Sequence, residues 1–168
     1  MYEVIYADPP WSYASTMLVS GKIKNASDAY PTMSEKELFA FPIDDFAADN
    51  CMLFMWTSNP HLEGAIKLGN HWGFKYCTVG FVWNKNHVTP GFYTMSQCEL
   101  CLVFKRGKIP QPRGIRNAKQ FHTETRAEHS RKPSHFRDQI TEMFPTQKKI
   151  ELFARNTSPG WDVFGNET

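Results

Sequence analysis

No run of apolar residues in this chain approaches the roughly 18 needed to cross a bilayer, and the N-terminus lacks a basic segment followed by an apolar one. A membrane partner and an export signal are not expected, and the chain reads as intracellular. Cysteine is scarce: Cys51, Cys77, Cys98 and Cys101 all lie inside apolar stretches, so free thiols are expected instead of a disulfide scaffold. Metal-binding patterns are equally thin, because Cys98-Glu99-Leu100-Cys101 has no second such pair and falls in an apolar strand. No metal is expected. There is no internal repeat, and 168 residues leave little room for more than one core, so residues 1–168 are expected to form a single domain.

Net charge is also small, at +2, but it is unevenly placed. From Lys105 to Arg137 ten Lys/Arg stand against Glu124 and Glu128, a balance of +8 that leaves −6 for the remainder. A basic stretch rich in Pro and Gly suits contact with a polyanion, and within it Lys105, Arg106, Arg113, Arg116 and Lys119 are candidate nucleic-acid contacts. The alternative is a solvated surface loop. His122, His129 and His135 lie in the same stretch and are read as phosphate or surface contacts.

Aromatic residues are plentiful, at 14%, which fits a dense core or a site that stacks planar rings. Tyr2 to Ala7 is a short apolar run ending at two prolines, as a buried parallel strand feeding a loop would. Ser12 to Pro31 has no sustained period and is expected to be a mobile loop, placed where a lid would lie. Ser34-Glu35-Lys36-Glu37 has capping-box form and predicts a helix to about Phe41. Cys51 to Thr57 reads as a second buried strand, and Ser58-Asn59-Pro60 as the cap and first turn of a helix that Gly73 closes. Strands follow over 74–83 and 97–104, then a helix over 133–144, then strands over 149–154 and 161–164. Alternating strands and helices predict an α/β layered fold with a largely parallel sheet.

Asp8-Pro9-Pro10-Trp11 is the most informative stretch, because its geometry is forced. Each proline fixes φ, removes an N–H and disfavours the α region in the residue before it. The loop must stay extended, leaving the carbonyls of Asp8 and Pro9 without local helical partners beside a carboxylate, at the strand end where open α/β sheets place ligands. Such an acceptor cluster suits an amine. Adenine's N6 is a poor nucleophile because its lone pair is delocalised. Acceptors that hold both N–H groups favour a pyramidal nitrogen and stabilise the positive charge that develops as it attacks a sulfonium methyl in line. Trp11 offers a flat face for the base, a contact of roughly 1–3 kcal/mol. The competing possibility is a diproline turn with Asp8 capping a helix and Trp11 in the core.

With these residues the chain resembles the adenine N6 methyltransferases typified by the seventy-kilodalton subunit of the messenger-RNA adenosine methyltransferase, especially short bacterial and phage members. The match runs nearly end to end: Asp8-Pro9-Pro10-Trp11, Tyr30-Pro31-Thr32-Met33-Ser34, Leu53 to Thr57, Trp72-Gly73-Phe74 and Val82-Trp83-Asn84-Lys85. It continues through Glu99 to Val103, Glu128 to Pro133, Lys149 to Arg155 and Gly165-Asn166-Glu167.

The resemblance implies a Rossmann-like α/β fold: a mostly parallel central sheet, helices on both faces, and a permuted order with the catalytic loop first and the cofactor strand last. It implies S-adenosylmethionine as cofactor, bound by Asp8, Lys132, Phe153, Arg155, Asn156, Asn166 and Glu167, the last at the ribose hydroxyls. Asp8, Pro9, Pro10 and Trp11 are then the catalytic residues, and the substrate is adenine in DNA. A target base in a duplex must be flipped out to react. The same reaction on RNA, or a catalytically silent nucleic-acid-binding subunit, are the rivals; an intact Asp8-Pro9-Pro10-Trp11 argues against silence. A homodimer or a partner subunit and a place in the cytoplasm of a bacterial or phage-infected cell are further expectations. Longer relatives carry a segment ahead of the first strand that helps hold the cofactor's adenine, whereas here Met1 directly precedes that strand.

Overall fold

The computed structural model describes residues 1–11, 17–19, 22–24, 32–127 and 131–165. Strand β1 (Tyr2–Ala7) buries Val4 to Ala7 without a break, as expected of a strand covered on both faces. It pairs in parallel with β4 (Ala47–Thr57) on one side and β8 (Lys149–Leu152) on the other, and β9 (Asp162–Phe164) extends the sheet in parallel beyond β8. On the far side of β4 runs β6 (Ser96–Arg106), antiparallel to it. Next come β5 (Lys75–Thr89), antiparallel to β6, and β7 (Phe121–Thr123), parallel to β5. The order is β7-β5-β6-β4-β1-β8-β9, and among these seven strands only β6 runs against the rest. The expected mostly parallel sheet is present.

Residue parity assigns the two faces. Ile5, Ala7, Leu53, Met55, Leu102 and Leu152 pack with Leu38 of α1 (Glu35–Phe39) and with Ala65 and Leu68 of α2 (Leu62–His71). Val4, Tyr6, Phe54, Trp56, Trp83 and Cys101 pack with Phe136 and Ile140 of α3 (Ser134–Met143). Helices therefore cover both faces, as the sequence implied, and each fully buried leucine or isoleucine stabilises the fold by roughly 1.5–3 kcal/mol. Among the described residues no helix is long and apolar enough to cross a membrane.

Local signals act as expected at α1, where Ser34 Oγ accepts from Glu37 N at 3.1 Å and Ser34 N donates to Glu37 Oε1 at 3.2 Å. Before α2 the outcome differs: residues Asn59–His61 form a single 3-10 turn, and Ser58 Oγ meets His61 Nδ1 at 3.0 Å instead of capping an amide. The stretch 12–31 also departs from a plain loop. Met17–Val19 and Lys22–Lys24 form an antiparallel hairpin (β2 and β3), joined in the sequence by Ser20-Gly21; the rest of that stretch lies outside the described residues.

Register fixes what meets at the top of the sheet. Ala7 stands beside Met55 and Leu152, so the three parallel strands end level, and Asp8, Trp56 and Phe153 emerge along one edge. Trp56 faces Cys101 and Thr57 faces Leu100, which brings Glu99 to the same edge from the antiparallel strand.

Candidate active site

The Asp8-Pro9-Pro10-Trp11 loop is extended but not free of backbone bonds. Trp11 N donates to Pro9 O at 2.9 Å and Met33 N donates to Pro10 O at 2.8 Å. The sequence had left the Pro9 carbonyl unpartnered. A tight turn over Pro10 occupies one of its lone pairs, and a carbonyl retains a second for another donor. The segment around Met33 clamps the loop from outside through a parallel bridge between Trp11 and Met33.

Trp11 is half-buried, and its indole stacks on the His61 ring at 5.4 Å between centroids and 7° between planes. Burial lowers the His61 pKa, so a neutral imidazole lies against the indole. Trp11 also packs against the core, and its buried Nε1 has no hydrogen-bond partner among the described residues. The side chain thus packs against the core, as the alternative had it, and also stacks on the His61 ring.

Behind the loop lies a chain of charges. Lys132 Nζ is 3.2 Å from Asp8 Oδ2 and 3.1 Å from Glu99 Oε1, and Lys85 Nζ is 3.4 Å from Glu99 Oε2. The Lys132 and Glu99 side chains are each 11% exposed, against 36% for Asp8, so the network is sealed on the sheet side and open at Asp8. Burial alone would lower the Lys132 pKa. The carboxylates of Asp8 and Glu99 outweigh it and hold the ammonium well above its ordinary value. The rings of Trp56 and Trp83 lie 5.6 and 5.8 Å from Nζ and add cation–π attraction. Trp56 Nε1 donates to Tyr6 Oη at 2.6 Å, and burial raises the Tyr6 pKa well above the usual phenol range.

A cavity of about 280 Å³ opens beside this network, with Asp8, Lys132, Glu151, Phe153, Arg155 and Asn156 on its walls. Burial raises the Glu151 pKa and the Arg137 guanidinium, 3.4 Å away, opposes the rise. Phe153 follows β8 with φ of +61°, a left-handed conformation uncommon for a bulky residue and typical of turns that serve a site. Gly165 closes in from β9: a Cβ there would lie 2.2 Å from Ala154 O and 2.4 Å from Ala154 N, so only glycine permits this approach of the two strand ends. Asp8, Lys132, Phe153, Arg155 and Asn156 are brought together. Asn166, Glu167 and His129 lie outside the described residues.

The basic segment is not one surface. Lys105 pairs with Met52 and Arg106 with Cys51, where the parallel strands begin. From Cys51 to Trp56 the strand rises roughly 16 Å, so both residues lie at the opposite end of the sheet from Asp8. Arg106 is committed there to Asp44 at 3.0 Å, to the Trp72 carbonyl and to the Phe74 ring. Arg113 lies over the Phe144 ring at 5.7 Å, and amides 114 and 115 donate to the carbonyls of Met143 and Glu142 at the end of α3. Lys105, Arg106 and Arg113 therefore lie away from the Asp8 edge: charge density along the sequence carries no information about which end of the sheet each residue reaches. Arg116 and Lys119 are exposed on the strip that climbs back to β7. His122 and His135 stack on each other at 3.7 Å, with His122 Nε2 2.9 Å from Glu124.

Sequence reasoning missed Glu99, Lys85, the Tyr6–Trp56 bond and the Arg137–Glu151 pair. One signal was available: a carboxylate inside an apolar strand requires a buried partner. Strand parity also disposes of the Cys98/Cys101 pair as a chelate. Residues three apart on β6 project from opposite faces.

Residues 2–167 match the MT-A70 family. The chain is 48% identical over 180 residues to the Type II methyltransferase M.MunI of a Mycoplasma species, covering 99% of this chain and 77% of that protein. It is 27% identical to the mouse N(6)-adenine-specific methyltransferase METTL4 over 187 residues, 99% of this chain and 37% of that one. With an N(6)-adenosine-methyltransferase MT-A70-like protein of Arabidopsis thaliana it shares 26% over 176 residues, 99% of this chain and 24% of the other. A match over nearly the whole length, on a sheet whose interior strand β1 delivers Asp8-Pro9-Pro10-Trp11 to its edge, makes this chain a member of the MT-A70 methyltransferase family.

Proposed function

We propose that the chain transfers a methyl group from S-adenosylmethionine directly to the N6 amine of adenine in DNA, in the cytoplasm of a bacterial or phage-infected cell. The observation that carries this is the placement of Asp8 and the Pro9 carbonyl on a rigid turn at the rim of a cavity whose wall holds Lys132. The donor set fits the cofactor: a carboxylate for its ammonium at Asp8, a cation for its carboxylate at Lys132, and Phe153, Arg155 and Asn156 for its adenosine end. Asn166 and Glu167 are assigned to the ribose hydroxyls. When bound, the cofactor supplies an electrophilic methyl group on a sulfonium sulfur. A permuted arrangement is part of this reading, supported by chain order: β1, which precedes the catalytic loop, comes first, and its sheet neighbour β8, the assigned cofactor strand, comes near the end.

The chain's own residues supply orientation and charge. Asp8 and the free lone pair of Pro9 O accept the two N6–H donors, and both bonds strengthen as N6 becomes positive. Groups placed in this way typically lower the barrier by about 3–4 kcal/mol. Pro10 stiffens the turn, Lys132 orients the Asp8 carboxylate, and Trp11, braced on one side by His61, stacks on the base with its other side. Arg116 and Lys119 are the remaining basic candidates for phosphate contact.

DNA is favoured over RNA because identity to a Type II methyltransferase, at 48%, far exceeds the 26% shared with an adenosine methyltransferase. The test is incubation with methyl-labelled cofactor and matched DNA and RNA polynucleotides, followed by digestion to nucleosides. Label in N6-methyldeoxyadenosine supports the proposal. Label confined to RNA, or found on a base other than adenine, contradicts it.

A further inference from the structure

The hairpin between β5 and β6 projects from the edge that carries Asp8. Glu99, joined to Asp8 through Lys132, faces Trp83, and beyond this pair β6 extends three residues and β5 six, through a break in register, to the Thr89–Ser96 pair where the hairpin turns. At the tip Phe92 is 78% exposed, Met95 60%, and Tyr93 wholly exposed. Rings so placed are costly on a free surface and point to a partner.

The tip is braced. Thr94 N donates to Phe92 O at 2.7 Å, and Tyr93 holds φ of +65°. A Cβ at Gly91 would lie 2.3 Å from Ser96 Oγ, so the turn is closed tightly upon itself. At its base Asn59 Nδ2 donates to Ser96 Oγ at 3.5 Å, and Asn59 begins the 3-10 turn that also contains His61, the ring stacked on Trp11. The hairpin is thus tied to the Trp11 side of the active edge.

We propose that Phe92 and Tyr93 form a wedge that enters duplex DNA at the target site and fills the gap left by the extruded adenine. This rests on the DNA reading above. A base cannot react inside the stack, and proteins that distort a duplex insert apolar side chains between base steps. From Asn84 to Gln97 the hairpin contains no Asp or Glu, so nothing on it repels phosphates. A pointed tip of three side chains also falls short of the roughly 800 Å² per partner that a stable protein interface requires. Prior bracing lowers the ordering cost of insertion.

The test is a Phe92→Ala/Tyr93→Ala double variant. The target site is first located by sequencing modified bases in a plasmid treated with the wild-type protein. Methyl transfer is then measured on three oligonucleotides: a duplex with the target adenine paired, the same duplex with that adenine opposite an abasic site, and the single strand. The variant is expected to lose on the order of tenfold or more on the paired duplex while staying within about twofold of wild type on the other two. An unchanged melting temperature shows that it folds. Equal loss on all three substrates, no loss on any, or a halved mass by light scattering overturns the wedge, the last by showing a protein interface. If the wild type modifies the single strand but not the duplex, the adenine chemistry stands and the wedge falls. If it modifies none of the DNA substrates, the DNA reading fails and takes the wedge with it.

Discussion

Lys132 holds Asp8: its ammonium is 3.2 Å from Oδ2 of the carboxylate that opens the Asp8-Pro9-Pro10-Trp11 turn, and its other carboxylate contact, to Glu99, is buried. One cation therefore joins the loop that follows β1 to the antiparallel strand β6.

Replacing Lys132 by Met leaves Glu99 buried with only Lys85, and Asp8 without its orienting partner. Stability is expected to fall by about 2–4 kcal/mol, below the full range for a broken buried pair because Asp8 is 36% exposed. Transfer should fall further than stability explains, with weakened cofactor binding by calorimetry. Adding Glu99→Gln should restore part of the stability and little of the activity. Additive stability losses in a double-mutant cycle would contradict the coupling.

His61 braces Trp11 by a parallel stack. An aromatic pair of this kind contributes about 0.5–1.5 kcal/mol, so His61→Ala should slow transfer roughly two- to tenfold. His61→Phe should recover most of the rate. Equal losses in the two variants would show that the ring does not position the indole.

Glu151 gives the chain a definite pH response. Burial raises its pKa in the folded chain, so the fold keeps its proton to higher pH than the unfolded chain does. Its contribution to stability is full below the ordinary glutamate range, about pH 4.3, and is lost as pH rises through the folded value. Glu151→Gln cannot ionise. Urea unfolding should show the variant gaining on the wild type between about pH 4 and pH 7. A difference that stays constant with pH would contradict the assignment.

Much of the fold was legible because its elements carry local signals. Val4 to Ala7 and Cys51 to Thr57 are unbroken apolar runs, Ser34 and Glu37 form the box that starts α1, and Phe136 and Ile140 repeat at helical spacing. The short pieces were less visible. β7 has three residues and is held by pairing with β5 alone, so its sequence need not alternate. Asp8, Lys132, Phe153, Arg155 and Asn156, which line one cavity, could be singled out together because their motifs are ordered along the chain. Glu99 and Arg137 were not, because their roles arise from partners that only the fold brings near. The placement of Lys105 and Arg106 was hidden for the converse reason: they lie close in sequence to Arg116 and Lys119 but hang from the end of β6 remote from Asp8.

The most direct test of the central claim is the single-turnover rate of Asp8→Asn with DNA and S-adenosylmethionine both saturating. The substitution keeps the size of the side chain and removes its charge. If Asp8 accepts from the amine as it turns positive, the rate should fall on the order of 100- to 1,000-fold while the urea midpoint stays close to that of the wild type. A rate within about twofold of wild type would contradict the account, because transition-state stabilisation by this carboxylate would then be negligible.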